Sequence, residues 1–545
     1  MGKLSLKLIV AFLCVVFVSC EPENKTSTRE DREALFDYII EKTIERESVS
    51  YPKTRTLNFN PIRDMLEFRE EMIEANTQEA LFEVLMKMSN VRRDRHAAVS
   101  TVEGGLEVNE EVDRSAPLIF RTDYSEPGGY FFFIGDIARD IEDHNPETMP
   151  EIGDKLVAVE GTPVEEYIEE LRLYIRHSTY NNLWQNMAEA IPEQNFRLPV
   201  PLDKEEVTFE LENSEGERYS VTLPYIDTDD LEWQGYFKGH GDHRYNEGFE
   251  KTISTTCYDL YEHDNRDVLL IDWYGFRGSL IEDVDELMEY ARENGLLGHD
   301  VIFDGTRSRG GSNGNYLLQR LFSEPYKATF GDLKLSDLTP KFVEDRKEAY
   351  EEGRLGGTDD DGSRQIEWLT TDVMEAWERG DNFSNRVQHK CSSVDKDHDG
   401  VLEPAEITFR GDVVILLGPD GGSHLDQFAA MIIDNNLAPV VGMPAGGFSS
   451  TWEFGEELEF PISGKPVAYF EWGMGHSIRP NVDHPVDVVD KYGRYTGKMM
   501  QPDGVVLEGN PPPVDVFIPQ SRENYLNYYD ILLDEAMGQL GRPSF

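Results

Sequence analysis

The stretch Asp395-Lys-Asp397-His-Asp399-Gly400-Val401-Leu-Glu403-Pro-Ala-Glu406 places oxygens at loop positions one, three, five, seven, nine and twelve, with glycine at six. An EF-hand calcium loop requires that spacing, because a hard cation takes six to eight oxygens around a sharp turn. Acids clustered this tightly would repel one another without a cation. The expectation is therefore one structural Ca2+ held by Asp395, Asp397, Asp399, Val401, Glu403 and Glu406; a solvated acidic turn is the plainer alternative. A second segment, Val413-Val-Ile-Leu-Leu-Gly-Pro-Asp-Gly-Gly-Ser423-His-Leu-Asp426, runs from an apolar strand through glycines to a serine that opens a helix. Free N–H groups and the dipole at a helix start favour negative charge, which suits a serine nucleophile and lets the amide of His424 hold an oxyanion. The ordinary role of a serine there is an N-cap. The His424 side chain lies about 100° around the helix from Ser423 and is poorly placed as its base. Gly310-Gly311-Ser312-Asn-Gly314 fits the Gly-x-Ser-x-Gly pattern of α/β-hydrolases, but that elbow needs its serine directly after a strand, and six residues separate Asp304 from Gly311.

Taken in order, these segments resemble the carboxyl-terminal-processing (tail-specific, tricorn-core) serine peptidase family. Ile302-Phe-Asp304-Gly-Thr306-Arg-Ser308-Arg-Gly310-Gly311 is similar to the family's oxyanion-hole strand, departing from it at Thr306 and Ser308, where Arg and Asn are usual. Ser423 falls on the family's nucleophile. In members with a Ser–Lys dyad, lysine stands where this chain has Phe448, within Gly442-Met-Pro-Ala445-Gly-Gly447-Phe448, and Lys465 lies too far along. The histidine–glutamate branch fits better. Asp94-Arg95-His96 matches its histidine element, and Pro502-Asp503-Gly504-Val-Val-Leu-Glu508 resembles its glutamate element. The resemblance implies that Glu508 orients His96, that His96 deprotonates Ser423, and that Gly310, Gly311 and the His424 amide form the oxyanion hole. It further implies peptide or protein substrates. A catalytically inactive peptide-binding protein on the same scaffold is the alternative.

The elements that must position these residues follow from periodicity. Leu35, Tyr38 and Ile39, then Leu81, Val84, Leu85 and Met88, recur at helical spacing and mark a helical N-terminal region over 35–114. Strand texture begins with Pro117-Leu-Ile-Phe and Tyr130-Phe-Phe-Phe-Ile. Gly153-Asp154-Lys-Leu-Val-Ala-Val-Glu-Gly161-Thr-Pro163 and the helix after it resemble a PDZ domain, placed at 115–228. Gly128, Gly129, Tyr130 and Phe131 are its candidate peptide-carboxylate loop, a plain turn being the other reading. Alternating strands and helices over 229–545 give an α/β catalytic core, crotonase-like by the resemblance, with a polar insert near 335–410 that carries the calcium loop.

At the start, Lys3 and Lys7 precede an apolar run from Leu8 to Val18 that is too short to span a bilayer and ends in Ser19-Cys20. The expectation is a lipoprotein signal over 1–20, lipid on Cys20, a tether over 21–34 and a place in the bacterial cell envelope. The 545 residues carry 105 acids against 52 bases, a net charge of −53 that disfavours nucleic acid as a partner. Cys257 and Cys391 are the cysteines left for a disulfide, for which sequence supplies no geometry.

Overall fold

The computed structural model describes residues 27–541 other than 49, 51–52, 55–58, 145–147, 236–247, 355–358, 389–400, 480–485, 490–494 and 500–504. Cys20, Cys391, Asp395, Asp397, Asp399 and the Pro502–Gly504 part of the Glu508 segment lie outside the described residues.

Apolar runs buried on both sides build the central sheet. In order across the sheet its strands are Phe249–Ser254, Tyr258–His263, Val268–Trp273, Asp300–Asp304, Val413–Leu417, Val440–Gly442 and Val516–Phe517. The first three run antiparallel, and from Val268–Trp273 onward every pairing is parallel. Side chains alternate between the two faces. Leu269, Ile271, Phe303 and Ile415 pack under helices Leu280–Glu293, Gly314–Leu321 and His424–Asp434, whereas Leu270, Ile302, Val414 and Val441 pack against helix Tyr528–Gln539. The loops after Asp304, Leu417 and Gly442 leave the sheet at its carboxyl edge, where α/β sheets place their ligands. These loops carry Gly310–Gly311, Ser423 and Phe448 in turn.

A second, antiparallel sheet runs Leu118–Asp123, Phe131–Ile137, Lys155–Val159, Glu206–Glu212 and Arg218–Pro224, with Thr162–Pro163 on one side. Helices Val164–Leu171 and Tyr180–Ala190 share its core. Its first hairpin turns at Glu126-Pro127-Gly128-Gly129. Proline occupies the second position, Gly128 has φ +86°, and the Gly129 N–H donates to the Glu126 carbonyl, as a type II turn demands.

A third sheet is built on the long hairpin Thr451–Glu459 and Pro466–Ile478, joined by Val99–Ser100, Phe330–Leu333 and Val387–Gln388. The N-terminal helices Arg29–Arg46 and Gln78–Asn90 bury Leu35, Phe36, Ile39, Leu81 and Leu85 against it. So does the stretch expected to be a polar insert: Leu338, Phe342, Trp368 and Val373 belong to the same core. The insert is polar only on its outer side. Among the described residues, no helix is long and apolar enough to cross a membrane.

Candidate functional site

Ser423 occupies the residue between the strand Val413–Leu417, with its glycine turn, and the helix His424–Asp434. Its backbone sits at φ 62°, ψ −121°, a region that non-glycine residues rarely enter, and its side chain makes no capping hydrogen bond. The helix-cap role is thereby set aside, and the strained turn presents Oγ to the cleft. Gly310 makes that placement possible: a Cβ there would lie 2.2 Å from the Ser423 Cβ and 2.5 Å from its Oγ.

His96 approaches from the segment after the helix Gln78–Asn90, and its Nε2 lies 3.1 Å from Ser423 Oγ. At Nδ1 the neighbours are Ser450 Oγ at 3.4 Å and Glu453 Oε1 at 3.8 Å. The Ser450 hydroxyl lies 2.7 Å from Asp94 Oδ1 and 3.3 Å from Glu453 Oε1, and its one hydrogen is best spent on the nearer carboxylate. A lone pair is then left for a proton on Nδ1, the tautomer that keeps Nε2 free to accept from Ser423. Asp94 also accepts the backbone N–H of His96 at 3.0 Å, which fixes the imidazole's own main chain.

Glu508 is at the site but in another role. One carboxylate oxygen accepts the N–H groups of Ser449 and Ser450 at 2.6 and 2.7 Å, and the other meets Lys53 Nζ at 3.2 Å. Glu508 therefore fixes the Ser449–Ser450 backbone beside His96 and also acts on His96 through its charge, and no hydrogen bond joins the two among the described residues. Glu508 thus lies within 4.8 Å of His96 without a hydrogen bond to it, and Ser450 and Glu453 are the groups nearest Nδ1. Asp94, His96 and Glu508 each offer a donor atom within 4.8 Å of the others, a spacing that would suit a cation. The ammonium of Lys53, fully buried against Glu508, already supplies positive charge there.

Acidic side chains surround the Ser423–His96 pair. Burial pushes the Glu508 carboxyl up against the pull of Lys53, with Asp94 adding to the rise. Burial likewise raises Glu453, with Asp94 again adding and His96 opposing. For Asp94 burial also works upward, but Lys53, His96 and the Ser450 hydroxyl outweigh it and hold this carboxyl below its usual range. Asp426, on the first turn after Ser423, is pushed well up by burial while its Oδ1 accepts the Gly447 N–H. Carboxylates ringing one histidine stabilise the cation that forms when it takes a proton.

No family model matches the sequence, and no curated protein matches it. Among solved structures, mature CPAF aligns over 93% of this chain and 97% of its own, at 14% identity and a TM-score of 0.64. Mature CPAF complexed with lactacystin aligns over 93% and 98%, at 15% identity and a TM-score of 0.62. The chain shares its fold with mature CPAF.

Within this CPAF-like fold the remaining sequence candidates separate. The cleft of about 250 Å3 beside Ser423 is lined by His96, Gly311, Ser312, His424, Gln427 and Glu453, among others. The His424 imidazole accepts the Gly314 N–H at Nε2 and meets Gln427 Oε1 at Nδ1, so it is tied into the scaffold and unavailable as a base. Ser312 lies in the same cleft, yet the hydroxyl that His96 meets is that of Ser423. Phe448 fills the dyad-lysine position, with its ring 5.7 Å from that of His96 and pressed on Gly422. Tyr130 points into the core of the second sheet, where its hydroxyl donates to Asn181. Since Gly129 spends its N–H on the turn, Gly128–Phe131 offers a poor carboxylate cradle. In the described part of the 395–406 segment, Val401–Leu402 pairs with Tyr326–Lys327, and the Glu403 carbonyl accepts from Gln319. Sequence reading missed Lys53, Ser450 and Glu453. Two residues upstream of His96, Asp94 was visible as part of its motif, but nothing local to the other three marks them.

Proposed function

We propose that the chain is a serine endopeptidase of the carboxyl-terminal-processing kind, acting on proteins or peptides. The observation that carries this reading is the strained, uncapped Ser423 with His96 Nε2 at 3.1 Å from its hydroxyl. Ser423 Oγ bonds to the scissile carbonyl carbon as its proton passes to His96, and the carbonyl electrons move onto oxygen. The His424 amide at the helix start and the Gly310–Gly311 backbone are the groups assigned to that oxyanion. The tetrahedral adduct expels the amine, which takes the proton from His96, and water then repeats the sequence to free the acid and regenerate Ser423. In the same reading the 229–545 core is crotonase-like, the 115–228 domain is PDZ-like, and the loop 395–406 binds Ca2+. Lipid on Cys20 tethers the protein to the cell envelope.

Fluorophosphonate labelling tests the chemistry without knowledge of the substrate. The protein is expected to label, Ser423→Ala to abolish labelling, Ser312→Ala to keep it, and His96→Ala to slow it at least 100-fold. Because a protein of this fold has been solved with lactacystin, protection by lactacystin is the second readout. Wild-type protein that is folded yet refuses the probe would move the chain to peptide binding without catalysis.

A further inference from the structure

Acids outnumber bases by 105 to 52 in this chain, so an arginine without a carboxylate partner is a feature that asks for a cause. Three of them surround one cavity. Arg95, Arg176 and Arg197 line a space of about 240 Å3 beside the helix Tyr180–Ala190, and none forms an ion pair among the described residues. The Arg95 guanidinium lies over the Phe448 ring at 4.5 Å, and that same ring packs edge-on against His96. Arg197 stacks on Phe196 at 4.7 Å and, among the described residues, donates a hydrogen bond to the Val99 carbonyl at 3.4 Å.

The two acids on the cavity wall form no ion pair with these arginines among the described residues, although the charge of Glu189 acts on Arg95. Glu189 is already engaged by Gln185 and, at 3.7 Å, by Arg121. Burial, with Glu189 and Asp113, pushes Glu193 up to about 7, so near neutrality it is only partly ionised. Burial lowers both Arg95 and Arg197, and Arg176 adds like-charge repulsion to each, against the pull of Glu189 and Asp420 on Arg95 and of Glu110 on Arg197. Three planar donors on the wall of one space, none of them in an ion pair among the described residues, suit bidentate carboxylate.

Resting on the peptidase reading above, we infer that the Arg95–Arg176–Arg197 cavity is a substrate subsite that takes a peptide carboxylate beside the Ser423–His96 pair. That carboxylate belongs either to an acidic side chain or to the chain terminus, and the cavity has room for either. The PDZ-like loop is then not the place where substrate charge is read.

The test uses the full-length Ser423→Ala protein and three fluorescein-labelled decapeptides of one sequence: a free acid, its C-terminal amide, and an amide carrying one internal glutamate. Anisotropy is expected to show at least tenfold tighter binding of one carboxylate-bearing peptide than of the plain amide, weakening as salt rises. Which peptide gains identifies the source of the carboxylate. Arg176→Gln and Arg197→Gln should each reduce that ratio severalfold, while Arg176→Lys retains more of it than Arg176→Gln. Equal binding of all three peptides, no binding of any, or a ratio unchanged in both glutamine variants would overturn the subsite. Fluorophosphonate labelling of the wild type is read in parallel. Labelling without discrimination sinks the subsite alone; discrimination without labelling sinks the hydrolytic reading alone.

Discussion

Lys53 and Glu508 are both fully buried and 3.2 Å apart, so each is the other's main compensation for lost water. Removing one partner strands a charge, which typically costs about 3–5 kcal/mol, whereas replacing both with apolar groups costs far less. Glu508→Gln is therefore expected to lower the melting temperature and the labelling rate together. Lys53→Met in the Glu508→Gln background should recover stability without recovering rate, because the amide clamp on Ser449 and Ser450 stays altered. Glu453 separates the two effects. It is a quarter exposed and 3.8 Å from His96 Nδ1, so Glu453→Gln should slow labelling while leaving the melting temperature close to that of the wild type. Denaturation curves and probe kinetics on the four proteins decide the assignment. A labelling rate for Glu453→Gln equal to that of the wild type would return the orienting role to Glu508.

Helices and hairpins matter here because they bring His96 to Ser423 across 327 residues of chain. One clip holds that arrangement on the outer side. Arg46, at the end of the helix Arg29–Arg46, reaches Asp337 at 2.8 Å and Glu456 at 2.6 Å, while Lys42 meets Asp337 at 2.7 Å. Burial alone would raise the Asp337 carboxyl, but Arg46 and Lys42 outweigh it and hold it at about 2. A carboxyl depressed below its unfolded value of about 3.9 contributes stability that is complete above that value and lost as pH falls through about 2. Asp337→Asn should thus melt below wild type at pH 7, with the gap closing toward pH 2. Thermal scans across that range check it; a gap that persists at pH 2 would contradict the ionic origin. The clip also marks where sequence reading stops. The position of Ser423 was legible because strand, glycines, serine and helix are consecutive, so local geometry fixes where its side chain sits. The buried Phe342 and Trp368 look like ordinary apolar residues in a polar stretch, and only the third sheet shows what they cover. Ser450 and Lys53 carry no spacing signal at all, since their roles arise where three remote segments meet. Glu508 was found at the site, but its bonds to Lys53 and to the Ser449 and Ser450 amides were not, because a motif names a residue and not the bond it makes.

At the scale of the whole molecule, the 395–406 segment precedes the strand Val413–Leu417 that leads to Ser423. Its described end is anchored to the core: Val401–Leu402 pairs with Tyr326–Lys327, and the Ala405 and Phe409 amides donate to carbonyls of Gln319 and Arg320 in helix Gly314–Leu321. That helix begins three residues after Gly311, on the glycine loop assigned to the oxyanion. The His424 imidazole, adjacent to Ser423, receives the Gly314 amide at 2.8 Å. A cation bound among Asp395, Asp397, Asp399 and Glu406 would therefore brace both a fold contact and the glycine loop, whereas an empty loop would leave four acids in mutual repulsion. A ligand that binds only the folded state stabilises it by about 2.7 kcal/mol at a hundredfold excess over its dissociation constant. Chelation with EDTA should lower the melting temperature by several degrees, and added calcium should restore it where magnesium at equal concentration does so less well. Because the helix at 314–321 couples the loop to the glycine segment, chelation should also slow fluorophosphonate labelling below the unfolding transition. Asp395→Ala should reproduce both effects and remove the response to calcium. Identical melting curves with and without calcium would make 395–406 a solvated acidic turn, leaving the Ser423–His96 chemistry to stand without it.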